Sequence, residues 1–197
     1  MSAHPRSASD SATPPSDSPV PSAGTGGSGS GRASPSALDG WLSELKLEPI
    51  ERAERDGVHS WDLLLDGERR SDVRVTLILA PQVGLLAWAH YAPQLNDSFR
   101  KSYRQLLHWN DELLFAKFAL AEDERLVLVT ELAATDLDCD SLGTALCRLL
   151  LICDALLDAS TAWLSFGRKL PVLTGAGRNA ALIERYRDRV GELGVEP

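Results

Sequence analysis

The stretch of residues 96–132 constrains the fold more than any other, because a helical pattern there runs directly into strand-like sequence. Tyr103, Leu106 and Leu107 share one face of a predicted helix, since residues three and four apart lie side by side on a helix surface. Residues 96–98 (Asn-Asp-Ser) offer side-chain oxygens that cap the first turn. The sequence therefore predicts an amphipathic helix that rests on an apolar surface.

Two apolar runs follow this helix and predict a β-hairpin. Residues 115–120 and 126–132 are rich in Phe, Val, Leu and Thr, and the polar residues 122–125 between them are typical of a turn. Three further strand-like runs come before the helix, at 58–65, 73–80 and 85–91. The last of them is apolar on both faces, which indicates a central strand covered on both sides or a strand whose second face meets a partner.

Capping residues and apolar spacing predict a first and a last helix. Ser34 and Pro35 begin the first, with Ser as the N-cap and Pro at the first helical position. Residues 179–193 form the last, with its charged face on the side away from its apolar residues. On that charged face Glu184 and Asp188 are each placed to pair with a nearby arginine.

A further, Leu-rich helix is predicted over residues 141–158, capped by residues 138–141. Its apolar arc is broader than an ordinary surface stripe, which indicates a core helix laid across the sheet. Cys147 and Leu151 fall in the opposite, polar arc, so we expect them to be exposed.

Composition divides the chain near Ser36. Residues 1–35 are a Ser-, Pro- and Gly-rich tail with too few large apolar residues to offset the entropy of ordering, and we predict that this tail is disordered. Residues 36–160 form the predicted α+β domain, an antiparallel sheet of about five strands with flanking helices. Residues 161–197 are a docked segment followed by the C-terminal amphipathic helix.

Charge and cysteine content limit the classes of partner and compartment. A net charge of −8 disfavours generic binding to nucleic acid or to an anionic membrane surface. Three cysteines at no metal-like spacing indicate reduced thiols, so we expect a cytoplasmic protein. We see neither a signal peptide nor an apolar run long enough for a membrane span.

Motifs for cofactors and metals are incomplete. The Gly-Ala-Gly run at 175–177 lacks the third glycine and the preceding strand of a dinucleotide fingerprint, so we expect a loop. Asp136, Asp138 and Asp140 have the opening spacing of a calcium loop, but the sixth and twelfth positions are Ser and Cys rather than Gly and Glu. These acids favour the positive end of the next helix instead.

The histidines are scattered as well, at His59, His90 and His108, without a second ligand at metal-binding spacing. We therefore predict no catalytic residue, no cofactor and no metal site.

One local rule is broken at the start of the helix in residues 96–132. Arg100, Lys101 and Arg104 lie in its first two turns, where the helix dipole disfavours positive charge. Such a conflict indicates either a basic patch that receives an acidic segment of a partner protein, or cations that nearby acids neutralise. These three residues are the candidate partner-binding site.

Residues 108–123 (HWNDELLFAKFALAED), together with residues 126–132 and the helix from Ser141, resemble the core of the bacterial YbjN-like family. The resemblance lies in an Asn near the end of a helix, a Phe-Ala-Lys-Phe strand, a hairpin and a Leu-rich helix. It implies a fold similar to the type III secretion chaperones, in the order α-βββ-α-ββ-α. Proteins of that fold are binding modules, often dimers, and the family is described as regulatory or chaperone-like. At Glu124 the sequence departs from the glycine usual in the hairpin turn.

The leading hypothesis is a non-enzymatic protein that binds another protein, through a sheet face, a sheet edge or the patch at Arg100, with a homodimer as one form. An alternative is a small-molecule sensor or enzyme with a pocket between the sheet and the helix at Ser141. A third is a scaffold whose working part is the tail. A specific protein captured by the folded domain would favour the first hypothesis.

Overall fold

The structure is a computed structural model, and it describes residues 33–80, 83–94, 100–165, 169 and 171–195, without the side chains of residues 100 and 101. Nearly all of the predicted tail, and the predicted cap at 96–98, lie outside the described residues. No helix of the described part is long and apolar enough to cross a bilayer.

Among the residues that the structure describes, six strands form one antiparallel sheet in the order β1-β2-β3-β4-β6-β5. The strands are β1 (Glu51–Arg55), β2 (Val58–Leu65), β3 (Val73–Ala80), β4 (Gly84–Ala92), β5 (Lys117–Leu120) and β6 (Leu126–Ala133). Alternation explains the sheet: in β3 every second residue from Val73 to Leu79 is completely buried, and the residues between point to the other side. The predicted α+β class with one antiparallel sheet is confirmed.

The sequence did not reveal β1, which is why about five strands were predicted. Its residues, Glu-Arg-Ala-Glu-Arg, are all exposed and show no apolar alternation. β1 forms because its backbone pairs with β2 along Glu51–Arg55, through a tight turn at Asp56 and Gly57 in which both residues have positive φ. A strand held by backbone pairing alone leaves no hydrophobic pattern to read.

The described part of the chain contains five helices: α1 (Pro35–Glu44), α2 (Arg100–Glu112), α3 (Cys139–Ala155), α4 (Thr161–Leu164) and α5 (Ala180–Val190). The predicted caps at the first and third are present, since Ser34 accepts a hydrogen bond from the Ala37 N–H and Asp138 forms a capping box with Ser141. α3 lies between the sheet and α5, so apolar residues of all three share one core.

The exposure predicted for Cys147 and Leu151 is wrong. Cys147 is fully buried and Leu151 is 8% exposed, because α5 packs on the side of α3 that the helical wheel assigned to solvent. Gly143 lies in the same contact, and its missing side chain gives the ring of Tyr186 room against the helix. The helical wheel identified the sheet-facing side of α3 and missed the second layer.

The buried face of α2 also differs from the predicted one. Leu106, Trp109 and Leu113 are buried, whereas Leu107 is 69% exposed. Trp109 contacts both Phe118 of β5 and Trp163 of α4, with ring centroids 5.8 and 5.5 Å apart. The large aromatic side chain therefore sets the rotation of the helix.

The ion pairs of α5 run to other elements, not along the helix as predicted. Arg189 pairs with Asp140 at the start of α3, with Nη1 2.7 Å from Oδ2. Arg185 reaches Glu44 of α1 at 3.3 Å, and Arg187 pairs with Glu68. These arginines therefore help to join α5 to the rest of the domain.

Candidate functional site

The sheet has a side that faces away from α1 and α3, and we call it the open face. Among the residues on this face are Asp62, Arg74, Thr76, Ile78, Leu86, Trp88, His90, Lys117, Val129 and Glu131. Each of these residues alternates along its strand with a buried neighbour, so each points to the opposite side of the sheet.

Trp88 lies at the centre of the open face. Its cross-strand neighbours are Thr76 on β3 and Val129 on β6, and the same row continues to Asp62 on β2 and Lys117 on β5. Trp88 and Val129 are only partly buried. A large aromatic side chain thus remains partly accessible in the middle of the sheet, where the sequence of β4 left open a contact with a partner.

An apolar hollow of about 570 Å³ continues the open face at the turn between β3 and β4. Ile78, Leu86 and Val83 line it, and Val83 is 79% exposed. At its edge Gly84 has a φ of 142°, and a Cβ there would lie 2.1 Å from the carbonyl oxygen of Leu132. Glycine is therefore required where β4 approaches β6.

A polar network crosses the open face beside Trp88. Asp62 accepts hydrogen bonds from Arg74 and Thr76, and these outweigh burial to hold the pKa of the carboxyl below its ordinary range. The Thr76 hydroxyl lies 2.8 Å from Nε2 of His90. Burial, with the charges of Arg125 and Arg74, lowers the pKa of His90, so the ring is neutral at pH 7.

Both sheet edges are protected against added strands. β1 presents four charged side chains at one edge. At the other edge, the Asn110 side chain of α2 binds the backbone of Phe118: Oδ1 accepts from its N–H at 2.6 Å, and Nδ2 donates to its carbonyl at 3.0 Å. The Asn of the family-like motif therefore occupies the place of a neighbouring strand.

The predicted patch at Arg100, Lys101 and Arg104 lies at the start of α2. Arg104 is exposed, while the side chains of the other two are outside the described residues. Beside this turn is an apolar groove of about 240 Å³ between α2 and the β5–β6 hairpin, and the exposed Leu107 lines it. The role of the patch in partner binding stays a prediction.

Residues 66–72, which we call the 66–72 loop, join β2 to β3 and are held by two buried carboxylates. Asp154 of α3 accepts backbone N–H groups of Glu68, Arg69 and Arg70 at 2.6, 3.1 and 2.8 Å. A Cβ on Gly67 would lie 2.4 Å from the same carboxylate. The backbone of the 66–72 loop therefore folds closely around the Asp154 side chain.

Asp66 is the second carboxylate that holds the loop. It binds Arg178 through Nε at 2.8 Å and Nη2 at 2.7 Å, and also accepts the backbone N–H of Asp72 at 2.9 Å. Hydrogen bonds from Arg178 hold the pKa of Asp66 well below its ordinary value, and Asp66 in turn raises the pKa of Arg178. The segment before α5 is thereby fixed to the end of the sheet.

Two of the three cysteine thiols, those of Cys147 and Cys153, are buried in the core. All three cysteines are free, and burial raises the pKa of each, at Cys139, Cys147 and Cys153, to about 11. Such thiols carry little thiolate at pH 7. Within the described ranges, no three His, Cys, Asp or Glu side chains come together as a metal site.

Of the acids that the sequence assigned to the start of this helix, Asp138 caps α3, while Asp140 lies in its first turn and binds Arg189 and Tyr186 of α5. Residues 175–177 form a loop, as expected.

The fold and this site define a mixed α+β protein with one antiparallel sheet, helices on its buried side and an open face on the other. Residues 34–161 match the model of the YbjN family, described as "putative bacterial sensory transduction regulator". The chain therefore belongs to the YbjN family, and the family name suggests a regulatory role in sensory transduction. No curated protein matches this chain.

Sequence reasoning singled out neither Trp88 nor Asp154. For Trp88 a signal existed, since a strand that is apolar on both sides must cover its second face somehow. For Asp154 there was none, because a carboxylate that binds a loop distant in sequence has the same local pattern as an exposed one.

Proposed function

We propose that this chain is a non-enzymatic regulatory protein that works through protein–protein contacts, and that its open face binds a second copy of the chain. The observation that carries the proposal is the row through Trp88. Apolar side chains on the central strands remain partly accessible there, and the hollow at Val83 extends the apolar surface.

The choice of a second copy as the occupant rests on the charges of that row. Asp62 and Lys117 lie on the same row, two strands to either side of Trp88. A twofold axis along β4 at Trp88 brings Asp62 of one copy opposite Lys117 of the other, with the two Trp88 side chains in contact. Both charged groups already have partners within the chain, so the pairing sets orientation more than affinity.

The roles of the ionisable groups support the non-enzymatic part of the proposal. The strongest pKa shifts among the carboxylates and arginines belong to Asp66 and Arg178, a contact between elements. Cys147 and Cys153 carry buried thiols that are protonated at pH 7, which also suits the reducing cytoplasm in which we propose that the protein acts.

Light scattering after size-exclusion chromatography tests the proposal on the full chain. Wild type is expected to elute at twice the chain mass at tens of micromolar, and Trp88→Asp at the chain mass, because a charge on the row would be buried against its own copy. Leu107→Asp is the matched control, since Leu107 is an exposed apolar residue on α2, away from the open face.

A wild type that stays monomeric at that concentration would contradict the proposed second copy. So would a Trp88→Asp variant that keeps a native circular dichroism spectrum and remains dimeric. Dissociation by Leu107→Asp with Trp88→Asp still dimeric would instead place the interface on α2, beside the predicted patch at Arg104.

A further inference from the structure

Arg70 is a buried cation whose guanidinium forms no salt bridge within the described residues. The residue is 5% exposed, and its Nε and Nη1 have no hydrogen-bond partner there. Its remaining contacts are neutral: Nη2 donates to the Tyr91 carbonyl oxygen, and the guanidinium lies 4.8 Å from the centre of the Tyr91 ring. A buried charge is ordinarily paired with a counter-charge, and the Arg70 guanidinium lacks that ion pair within the described residues.

The backbone holds Arg70 firmly in this position. Its N–H is bound by Asp154, and Arg70 forms an isolated antiparallel bridge with Val172. Neighbouring bonds run from the Ser71 N–H to the Pro171 carbonyl at 2.9 Å and from the Leu173 N–H to the Arg69 carbonyl at 2.7 Å. Three separate parts of the chain therefore fix the residue, which is the preorganisation that a binding group needs.

A cavity of about 350 Å³ lies beside Arg70, at the end of the sheet where β4 finishes. Its lining includes Arg70, Tyr91, Pro93, Arg125, Leu164 and Lys169. Its volume is within the range of sites for small molecules. The cavity lies apart from the interface between α3 and the sheet, where the sequence had placed its alternative pocket.

The charges around this cavity favour an anion. Asp72 shares Arg178 with Asp66, so that group keeps one negative charge in excess, and Arg125 pairs with Asp123 at 2.5 Å. Arg70 and Lys169 form no ion pair with an acid among the described residues. These four cations and three carboxylates leave one positive charge in excess at the cavity of a protein whose net charge is −8. An oxyanion in the cavity supplies the acceptor and the counter-charge that Arg70 lacks.

We propose that this cavity binds a small organic molecule bearing a phosphate or carboxylate group, with the anion at Arg70 and the apolar part against Tyr91, Pro93 and Leu164. The site goes beyond the proposed function and is independent of it, because it lies at the end of the sheet and needs no second copy. Bound anion would stabilise the 66–72 loop, the end of α3 and residues 171–173 together, since all three meet at Arg70.

Titration calorimetry with three probes of similar size tests the proposal: phenyl phosphate, benzoate and benzyl alcohol. The two anions are expected to bind at least about tenfold more tightly than the neutral alcohol, and the tighter of the two identifies the anionic group. Arg70→Met, which keeps the apolar stem, is expected to weaken the anions at least about tenfold. Arg69→Met is the matched control, because Arg69 has its own acid partner, Asp158 at 2.8 Å.

Thermal melting of wild type and variants without probe shows whether each variant still folds, so a loss of binding is not mistaken for unfolding. Arg70→Met is expected to melt at or above the wild-type temperature, because it removes a buried charge that has no counter-charge. If that variant does not fold, Arg125→Gln with Lys169→Gln leaves Arg70 in place and is expected to weaken both anions. Equal binding of an anion by wild type and the cation-depleted variants would overturn the proposal, and so would the failure of both anions to bind wild type.

Discussion

At the scale of single residues, two carboxylates decide how the end of the sheet is built. Asp154 and Asp66 together accept the hydrogen bonds that shape the 66–72 loop, and both are almost completely buried. A buried carboxylate that binds several donors contributes more to the free energy of unfolding than an exposed ion pair does. If the carboxylate is removed, its buried donors have no water to bind instead.

Asp154→Asn is expected to lower the free energy of unfolding by about 2–4 kcal/mol, because the amide loses one acceptor oxygen and turns an NH₂ towards backbone N–H groups. Urea denaturation measures the loss. Asp158→Asn is the control on the next turn, where the side chain is 75% exposed and pairs with Arg69, and it is expected to cost less than about 1 kcal/mol. Equal losses for both variants would show that the loop does not depend on Asp154.

The lowered pKa of Asp66 predicts how the free energy of unfolding changes with pH. Its folded pKa lies below the ordinary value of 3.8, so its stabilisation is complete above that value and is lost as pH falls towards the folded pKa. Urea unfolding from pH 7 to pH 3 is expected to show Asp66→Asn less stable than wild type at pH 7, with the difference narrowing below about pH 4. Asp188→Asn, an exposed change on α5, is expected to follow wild type, and a gap for Asp66→Asn that is constant with pH would contradict the assignment.

At the scale of elements, helices α2 and α5 each cover a surface of a neighbouring element that would otherwise face solvent. α2 uses Asn110 to bind the backbone at the free edge of β5, and α5 covers the side of α3 that the sheet leaves open. Neither role follows from the helix's own periodicity, because the partner in each case is distant in sequence or is a backbone.

Asn110→Asp is expected to keep one of the two hydrogen bonds at the β5 edge and to remove the other. A carboxylate still accepts from the Phe118 N–H but cannot donate to the Phe118 carbonyl. The expected cost is about 1 kcal/mol, and Asn110→Ala is expected to cost about 1–3 kcal/mol by removing both bonds. Chemical denaturation gives these values, with the exposed Asp111→Ala as control. If Asn110→Ala were as stable as wild type, the edge would not need its amide.

Two helical glycines predict opposite effects of the same substitution. Gly40 of α1 has nothing within 4 Å of an added Cβ, so Gly40→Ala is expected to stabilise by about 0.5–1 kcal/mol through helix propensity. Gly143 of α3 would place that Cβ 2.4 Å from the Tyr186 ring, so Gly143→Ala is expected to destabilise despite its better propensity. Thermal melting distinguishes the two, and stabilisation by Gly143→Ala would contradict the contact between α3 and α5.

At the scale of the whole molecule, the sequence predicts the α+β class, the central strands and the starts of α1 and α3. Alternation in β3 and the caps at Ser34 and Asp138 are local signals, and they are confirmed. Glu124 in the hairpin turn adopts a φ of 59°, the conformation for which glycine is usual.

What the sequence misses depends on contacts made across the fold. β1 has no apolar pattern, Cys147 is covered by a second helix layer, and Arg70 meets its cavity only once residues from β4 and the 171–173 segment come together. The candidate patch at Arg104 came from one local rule about charge at helix starts, and such rules identify conflicts without identifying partners.

The proposed dimer forms only if the open face is an interface. Hydroxyl-radical footprinting of the full chain across a dilution series tests this most directly. Oxidation of Trp88 is expected to fall as concentration rises through the dimer range, while oxidation of Leu107 stays constant, because only the open face becomes covered. Oxidation of Trp88 that is the same at every concentration up to the tens of micromolar would contradict the account.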